Sequence, residues 1–226
     1  VTWTPLFLSL QVATIAMILS LIVGTALAVM LDWKRLPARD FIDALVSAPL
    51  VLPPTVLGYY LIVALGRDSA LGRGFSWLTG HELTFSFSGA VIAGAVGSLP
   101  LVVRSVKVGL ESIDPNLVAA ARTLGARPAR VLFTIVLPLA APGMIAGAML
   151  GFARALGDYG ITQMVAGARF DGAGIQQSPS ASIYVMNQVI AGHDDAALGM
   201  AVITTTVGVL ILYFVNRMSR RMHHRG

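Results

Sequence analysis

Arg154 and Asp158 are the two side chains best placed to do chemistry together. Their four-residue spacing puts them on one face of a helix, within a stretch (140–165) that carries no other charge. At 1.5 Å per residue, Arg154 lies roughly 21 Å along a helix counted from Ala140, inside an apolar layer about 30 Å thick. A cation at that depth would attract an anion crossing the layer. The same pair would serve equally as a structural ion pair near one face, with Gly157 and Gly160 loosening the helix around it. Other chemistry is poorly provided for. His81, His193, His223 and His224 lack the HExxH spacing of a zinc hydrolase. His193-Asp194-Asp195 reads as a solvated cap on the last apolar segment, so no metal site and no cofactor is expected. The absence of cysteine removes disulfides, thiolate metal sites and cysteine nucleophiles together. Lys34 and Lys107 follow Trp33 and Val106, so neither belongs to a Gly-Lys-Ser/Thr phosphate loop, and the chain is not expected to be an ATP-hydrolysing enzyme itself.

The elements that must position these residues are membrane-spanning helices. Of the 226 residues, 56% are hydrophobic and 12% charged, against about 25% charged in an ordinary soluble domain. Mean hydropathy is +0.77. Five apolar segments follow one another: 1–31, 41–65, 83–103, 140–165 and 196–215. The first has no basic leader region and no small-residue cleavage site, so it reads as a retained span. No period of two runs through them, which leaves helices as the structure that satisfies the backbone in lipid. The stretch 176–188 is too polar to span, and whether 181–190 adds a sixth, short or re-entrant helix is left open by the sequence. The expected fold is an all-α integral membrane protein of five or six helices, with 1–226 forming one transmembrane domain.

The pI near 10.1 is explained by topology rather than by nucleic acid, which is not an expected partner. Lys34, Arg35 and Arg39, then Arg104, Lys107, Arg122, Arg127 and Arg130, then Arg217, Arg220, Arg221 and Arg225 fall in alternate polar stretches. The intervening stretches hold only Arg67, Arg73 and Arg169. The positive-inside rule then puts the N-terminus outside and the C-terminus in the cytoplasm, with lipid as the surrounding partner.

Within the spans, Pro49, Pro53 and Pro54 interrupt the second segment. Each removes a helical hydrogen bond and crowds the preceding turn. The break is either a packing kink or a bend that lines a pathway, with Thr55, Tyr59 and Tyr60 just beyond it. Ser47, Pro53, Pro54, Thr55, Tyr59, Ser98, Arg154 and Asp158 are the candidate pathway residues. Gly143, Gly147 and Gly151, and likewise Ala90, Gly94 and Ser98, recur every four residues, a pattern that lets helix backbones approach closely.

The cytoplasmic stretch 111–138 is the most informative part. Asp114-Pro115 supplies a capping carboxylate followed by proline at the first helical position. Pro115, Leu117, Ala119, Ala120, Ala121, Arg122, Thr123 and Leu124 belong to a helix about 15 Å long, and Gly125 supplies its stop. A helix that short must pack on something, and small apolar residues between rigid ends suit docking into a partner's groove. A second helix starts at Arg127-Pro128 and runs into Pro138.

Ala119-Ala120-Ala121, three residues, Gly125, nine residues, then Ile135-Val136-Leu137-Pro138 resembles the EAA loop of ABC-importer permeases, whose consensus is Glu-Ala-Ala-x3-Gly-x9-Ile-x-Leu-Pro. The spacing matches throughout, but Ala119 replaces the glutamate, which removes a charged contact to the ATPase. Two further stretches, 47–60 (Ser47-Ala48-Pro49 to Gly58-Tyr59-Tyr60) and 152–160 (Phe152-Ala153-Arg154-Ala155-Leu156-Gly157-Asp158-Tyr159-Gly160), resemble the molybdate branch of that family, with Asp158-Tyr159 where members usually show Glu-Phe. Sulfate/thiosulfate permeases are similar over the second stretch. The resemblance implies the type I ABC-importer permease fold and the membrane subunit of an ATP-driven molybdate or tungstate importer of the bacterial inner membrane. It further implies a homodimer of permeases, two ATP-binding cassette subunits and a periplasmic oxyanion-binding protein. The rival readings are a sulfate/thiosulfate permease, a membrane enzyme using Arg154 and Asp158, and a passive anion channel. The missing catalytic constellation argues against the enzyme, and a docking helix against an autonomous channel.

Overall fold

A computed structural model describes residues 3–32, 37–167, 170–171, 174–175 and 180–223, with side chains placed up to residue 217 outside the two short strands. Lys34, Arg35, Arg169, residues 176–179, His224 and Arg225 lie outside the described residues.

Uncharged apolar sequence dictates the first element, α1 (Thr4–Asp32), whose 29 residues give a rod of about 43 Å. The second apolar segment is two helices rather than one: α2 (Arg39–Val51) and α3 (Pro54–Leu65) meet at 117°. Pro53 and Pro54 account for the break, since neither has an N–H to donate and Pro54 takes the first helical position of α3. Helix α4 (Ala70–Thr79) is capped by the Ser69 hydroxyl, which accepts from Gly72 N–H at 2.8 Å.

Helix α5 (Phe87–Glu111) starts at Ser86, whose hydroxyl accepts from Gly89 N–H at 3.1 Å. It corrects the expected span 83–103 at both ends. Arg104 and Lys107, expected in a loop, lie within the helix, because partners on α2 hold them: Lys107 Nζ reaches Asp43 Oδ1 at 3.1 Å, and Arg104 Nη2 reaches the Ser47 hydroxyl at 3.4 Å. Next come α6 (Pro115–Thr123), α7 (Pro128–Val131), a π-helical turn (Leu132–Val136) and α8 (Leu137–Leu156). The last three form one continuous rod, 128–156. Expected as one span from 140 to 165, this element begins earlier and ends at Gly157, after which α9 (Gly160–Ala166) starts afresh. Two-residue strands, β1 (Phe170–Asp171) and β2 (Gly174–Ile175), pair antiparallel. Helix α10 (Ala181–Ile190) fills the position left open by the sequence, and α11 (Asp194–His223) closes the described chain.

Four helical rods among the described residues are long and apolar enough to cross a membrane, and the bent α2–α3 pair adds a fifth if it is counted as one broken span rather than a re-entrant loop. Helix α5 lies at the centre, packed against α1 and α8, which also pack against each other. Small residues set the spacing. A Cβ added to Gly143 would lie 2.7 Å from Gly109 Cα, and one on Gly24 would lie 2.8 Å from Val102 Cγ1. Gly147 and Gly151 also face Val102, so the four-residue stripe on α8 is the surface that seats α5. Ala28, Leu31, Val102, Val103, Val106 and Ala140 are all at most 1% exposed and form the main apolar core.

Candidate functional site: an exposed capped helix and a pair of broken spans

Helix α6 is built to be stable without being buried. Asp114 accepts from Asn116 N–H at 2.9 Å, and Pro115 takes the first helical position. At the other end Gly125 adopts φ +79°, where a side chain would be strained. Its N–H donates to Arg122 C=O at 3.0 Å and Ala126 N–H donates to Ala121 C=O at 3.1 Å, which is a Schellman stop. Between the caps no residue of α6 is buried. Leu117 is 51% and Leu124 87% exposed, Ala119, Ala120, Arg122 and Thr123 line up between them, and none of these reaches the core. Val118 and Ala121 are half-buried, and the face carrying Leu117, Ala120 and Leu124 is left uncovered by the described residues.

The route from α6 into the core passes through the π turn. Pro138 cannot donate to Thr134 C=O, and its ring would crowd that carbonyl in a regular α-helix. The chain widens ahead of it, with Leu137 N–H donating to Leu132 C=O, five residues back.

Away from α6, the two broken spans meet. Helices α3 and α9 pack together starting side by side: a Cβ on Gly160 would lie 2.6 Å from Pro54 Cβ, and one on Gly58 would lie 2.6 Å from Met164 Cβ. Arg154 stands in the last turn of α8, where a cation favours the helix dipole. Its Nη1 donates to Asp158 Oδ1 at 2.8 Å. The expectation of both residues on one continuous helix is corrected here, because α8 ends at Leu156 and Asp158 lies in the joint. The second carboxylate oxygen accepts from Thr162 N–H and from the Thr162 hydroxyl, both at 2.8 Å, which ties down the start of α9. Asp158 is 3% exposed at its side chain and Arg154 30%. Sequence reasoning missed Thr162, although its place four residues after Asp158 was the available signal.

The other candidate pathway residues divide. Pro53, Pro54 and Thr55 sit at the α2–α3 joint, and Tyr59, 57% exposed, lies one turn further with its ring 6.2 Å from that of Tyr60. Ser47 contacts Arg104 on α5. Ser98 is fully buried between α5 and α8, and its hydroxyl donates to Ala95 C=O at 3.1 Å, so it is part of the packing there.

Comparison with known proteins gives the family. Residues 16–224 match the family model for the binding-protein-dependent transport system inner membrane component. The chain belongs to that family. This permease is 38% identical over 221 residues to the molybdenum transport system permease protein ModB of Escherichia coli (strain K12), covering 96% of this chain and 95% of that one. It is also 46% identical over 155 residues to ModB of Haemophilus influenzae, with 69% and 68% covered. Among solved structures it superposes on the MetNI methionine ABC transporter with a TM-score of 0.73 at 18% identity, covering 97% and 96% of the two chains. It superposes on a bacterial ABC transporter that imports alginate with a TM-score of 0.69 at 15% identity, covering 96% and 78%. The fold is thus that of ABC-importer permeases. The permease is a multi-pass inner membrane component of a binding-protein-dependent system, and it is the membrane chain of such a system rather than its ATPase.

Proposed function

We propose that this permease carries molybdate, or its congener tungstate, inward as a homodimer joined to two ATP-binding cassette subunits and served by a periplasmic oxyanion-binding protein. The relatives named for molybdenum transport support the substrate, and the observation that carries the coupling mechanism is the bare apolar side of α6. Leu117, Ala120 and Ala121 offer small and apolar side chains to a groove, while the caps at Asp114 and Gly125 hold the helix ready-made. Docking then costs little ordering entropy. Closure of the ATPase pair on ATP would draw the two α6 helices together, and the rigid rod 128–156 would pass that displacement to α5. ATP can drive this only by binding one arrangement more tightly than the other. In this reading α6 faces the cytoplasm, the N-terminus lies outside, and the chain forms one transmembrane domain.

The experiment is co-purification. Ala120→Trp should leave the permease inserted yet abolish both ATPase association and ATP-driven molybdate uptake. Wild-type association and uptake by that variant would remove α6 from the coupling mechanism. The cysteine-free sequence also permits a direct topology test: a cysteine in place of Arg73 should label from outside intact cells and one in place of Arg122 should not. A sulfate/thiosulfate substrate would show itself as sulfate uptake that molybdate fails to inhibit.

A further inference from the structure

Three cations lie along the side of α5 that faces the broken spans. Arg154 stands level with Gly97, since a Cβ there would lie 3.9 Å from Arg154 Nη2. Arg104 follows seven residues later, about 10 Å further along α5 and on the same face. Lys107 is a turn beyond. Two of the three are neutralised: Arg154 by Asp158 at 2.8 Å and Lys107 by Asp43 at 3.1 Å. Arg104 is not. Among the described residues no carboxylate comes within ion-pair distance of it, and its partner is the Ser47 hydroxyl at a long 3.4 Å. It is exposed, although it sits within a membrane-crossing helix, seven residues before that helix ends. Exposure along this face rises from buried Gly97, through half-buried Leu101, to exposed Arg104 and Val108 at 67%. The face therefore opens toward the α6 end of the bundle.

Arg104 stands two turns from the α6 end of α5, exposed and without a counter-charge, so its guanidinium is open to a partner. A guanidinium presents five donors in a planar fork that matches two oxygens of a tetrahedral oxyanion, and a serine hydroxyl can donate a further bond. We propose that Arg104, with the Ser47 hydroxyl, binds a tetrahedral oxyanion where α2 meets α5 at the α6 end of the bundle, as the last station before release. Asp43, one turn from Ser47 on the same face of α2, both occupies Lys107 and repels the anion. That keeps the station weak, as a transit site must be if the ion is to leave it. The inference rests on the oxyanion-importer reading above. The α2–α3 joint supports it independently, since the 117° bend ends α2 shortly after Ser47 and leaves the polar α2–α5 contact to Asp43 and Ser47.

The test replaces Val108, one turn beyond Arg104, with cysteine in the complete permease–ATPase complex reconstituted into vesicles. The rate at which a charged thiol reagent modifies the Val108→Cys variant from the α6 side is followed with molybdate as the probe. Molybdate should slow this labelling. Adding Arg104→Gln should raise the molybdate concentration needed about ten-fold, the loss of one charge-assisted hydrogen bond. Arg104→Lys, which keeps the charge, should need less than that. Labelling that ignores molybdate while the same vesicles take up molybdate overturns the station and leaves the importer reading standing. Labelling slowed by added phosphatidylglycerol but not by molybdate shows that Arg104 holds a lipid headgroup, which also overturns it. Vesicles that take up no molybdate, yet show Arg104-dependent protection by sulfate, uphold the station and overturn the substrate.

Discussion

Helices α5 and α6 are separated by three residues of chain and are held by opposite means. Helix α5 owes its place to neighbours: α8 presses on it so closely that a side chain at Gly143 would meet backbone, and α1 presses on it through Gly24 against Val102. Helix α6 owes its shape to itself, to a carboxylate at one end and a left-handed glycine at the other, and buries none of its residues. The first is a region whose sequence is fixed by volume, the second one whose sequence is fixed by local backbone chemistry and, in the coupling proposed above, by a partner's surface. Stability and function should therefore separate between them.

The largest loss should come from the polar joint in the buried half. Asp158→Leu strips Arg154 of its carboxylate and Thr162 of its acceptor, and breaking such a pair costs about 3–5 kcal/mol. Thermal unfolding of the purified permease should drop steeply, and Arg154→Leu combined with Asp158→Leu should recover most of the loss. A double variant no better than the single would show that the Thr162 bonds, rather than the ion pair, carry the joint. Gly143→Leu comes next, at about 1–3 kcal/mol for overpacking, because the atoms its side chain would meet are backbone and cannot swing aside. Reduced yield of folded protein in size-exclusion chromatography reads this out. On α6 the effects on stability should be smaller. Gly125→Val, with open space around it but φ +79°, should cost roughly 1 kcal/mol, all of it local. Asp114→Ala should cost about 1 kcal/mol of helix stability. Neither should move the melting of the whole permease, while both should weaken ATPase co-purification. A global loss of stability from either α6 variant would break the contrast.

What could be read in advance follows the same division. The start and stop of α6 were legible because Asp114, Pro115 and Gly125 act on their own neighbours. The Gly143, Gly147 and Gly151 stripe announced close packing, although only the fold names α5 as what packs there. Span ends were least legible. Arg104 and Lys107 read as loop because charge normally ends a span, whereas α5 continues past them on contacts with Ser47 and Asp43, 57 and 64 residues away. Three prolines marked the second segment as interrupted, but a 117° turn depends on what α3 meets after the break, and it meets α9. Gly157 likewise ends α8 where the sequence suggested only a looser helix, because the Asp158 carboxylate is more fully bonded at the start of α9 than it would be as a rung of α8.

The π turn at Leu132–Val136 carries a geometric consequence. One residue beyond regular α spacing rotates everything on its far side by about 100° around the rod. Pro138 thus sets an angular phase, and with it the compass bearing from which α7 leaves the core and α6 is presented. An ATPase groove would sense that bearing as much as the shape of the helix. Removing a single residue from 132–136 would keep every α6 side chain intact and still turn the helix to a different bearing about the rod.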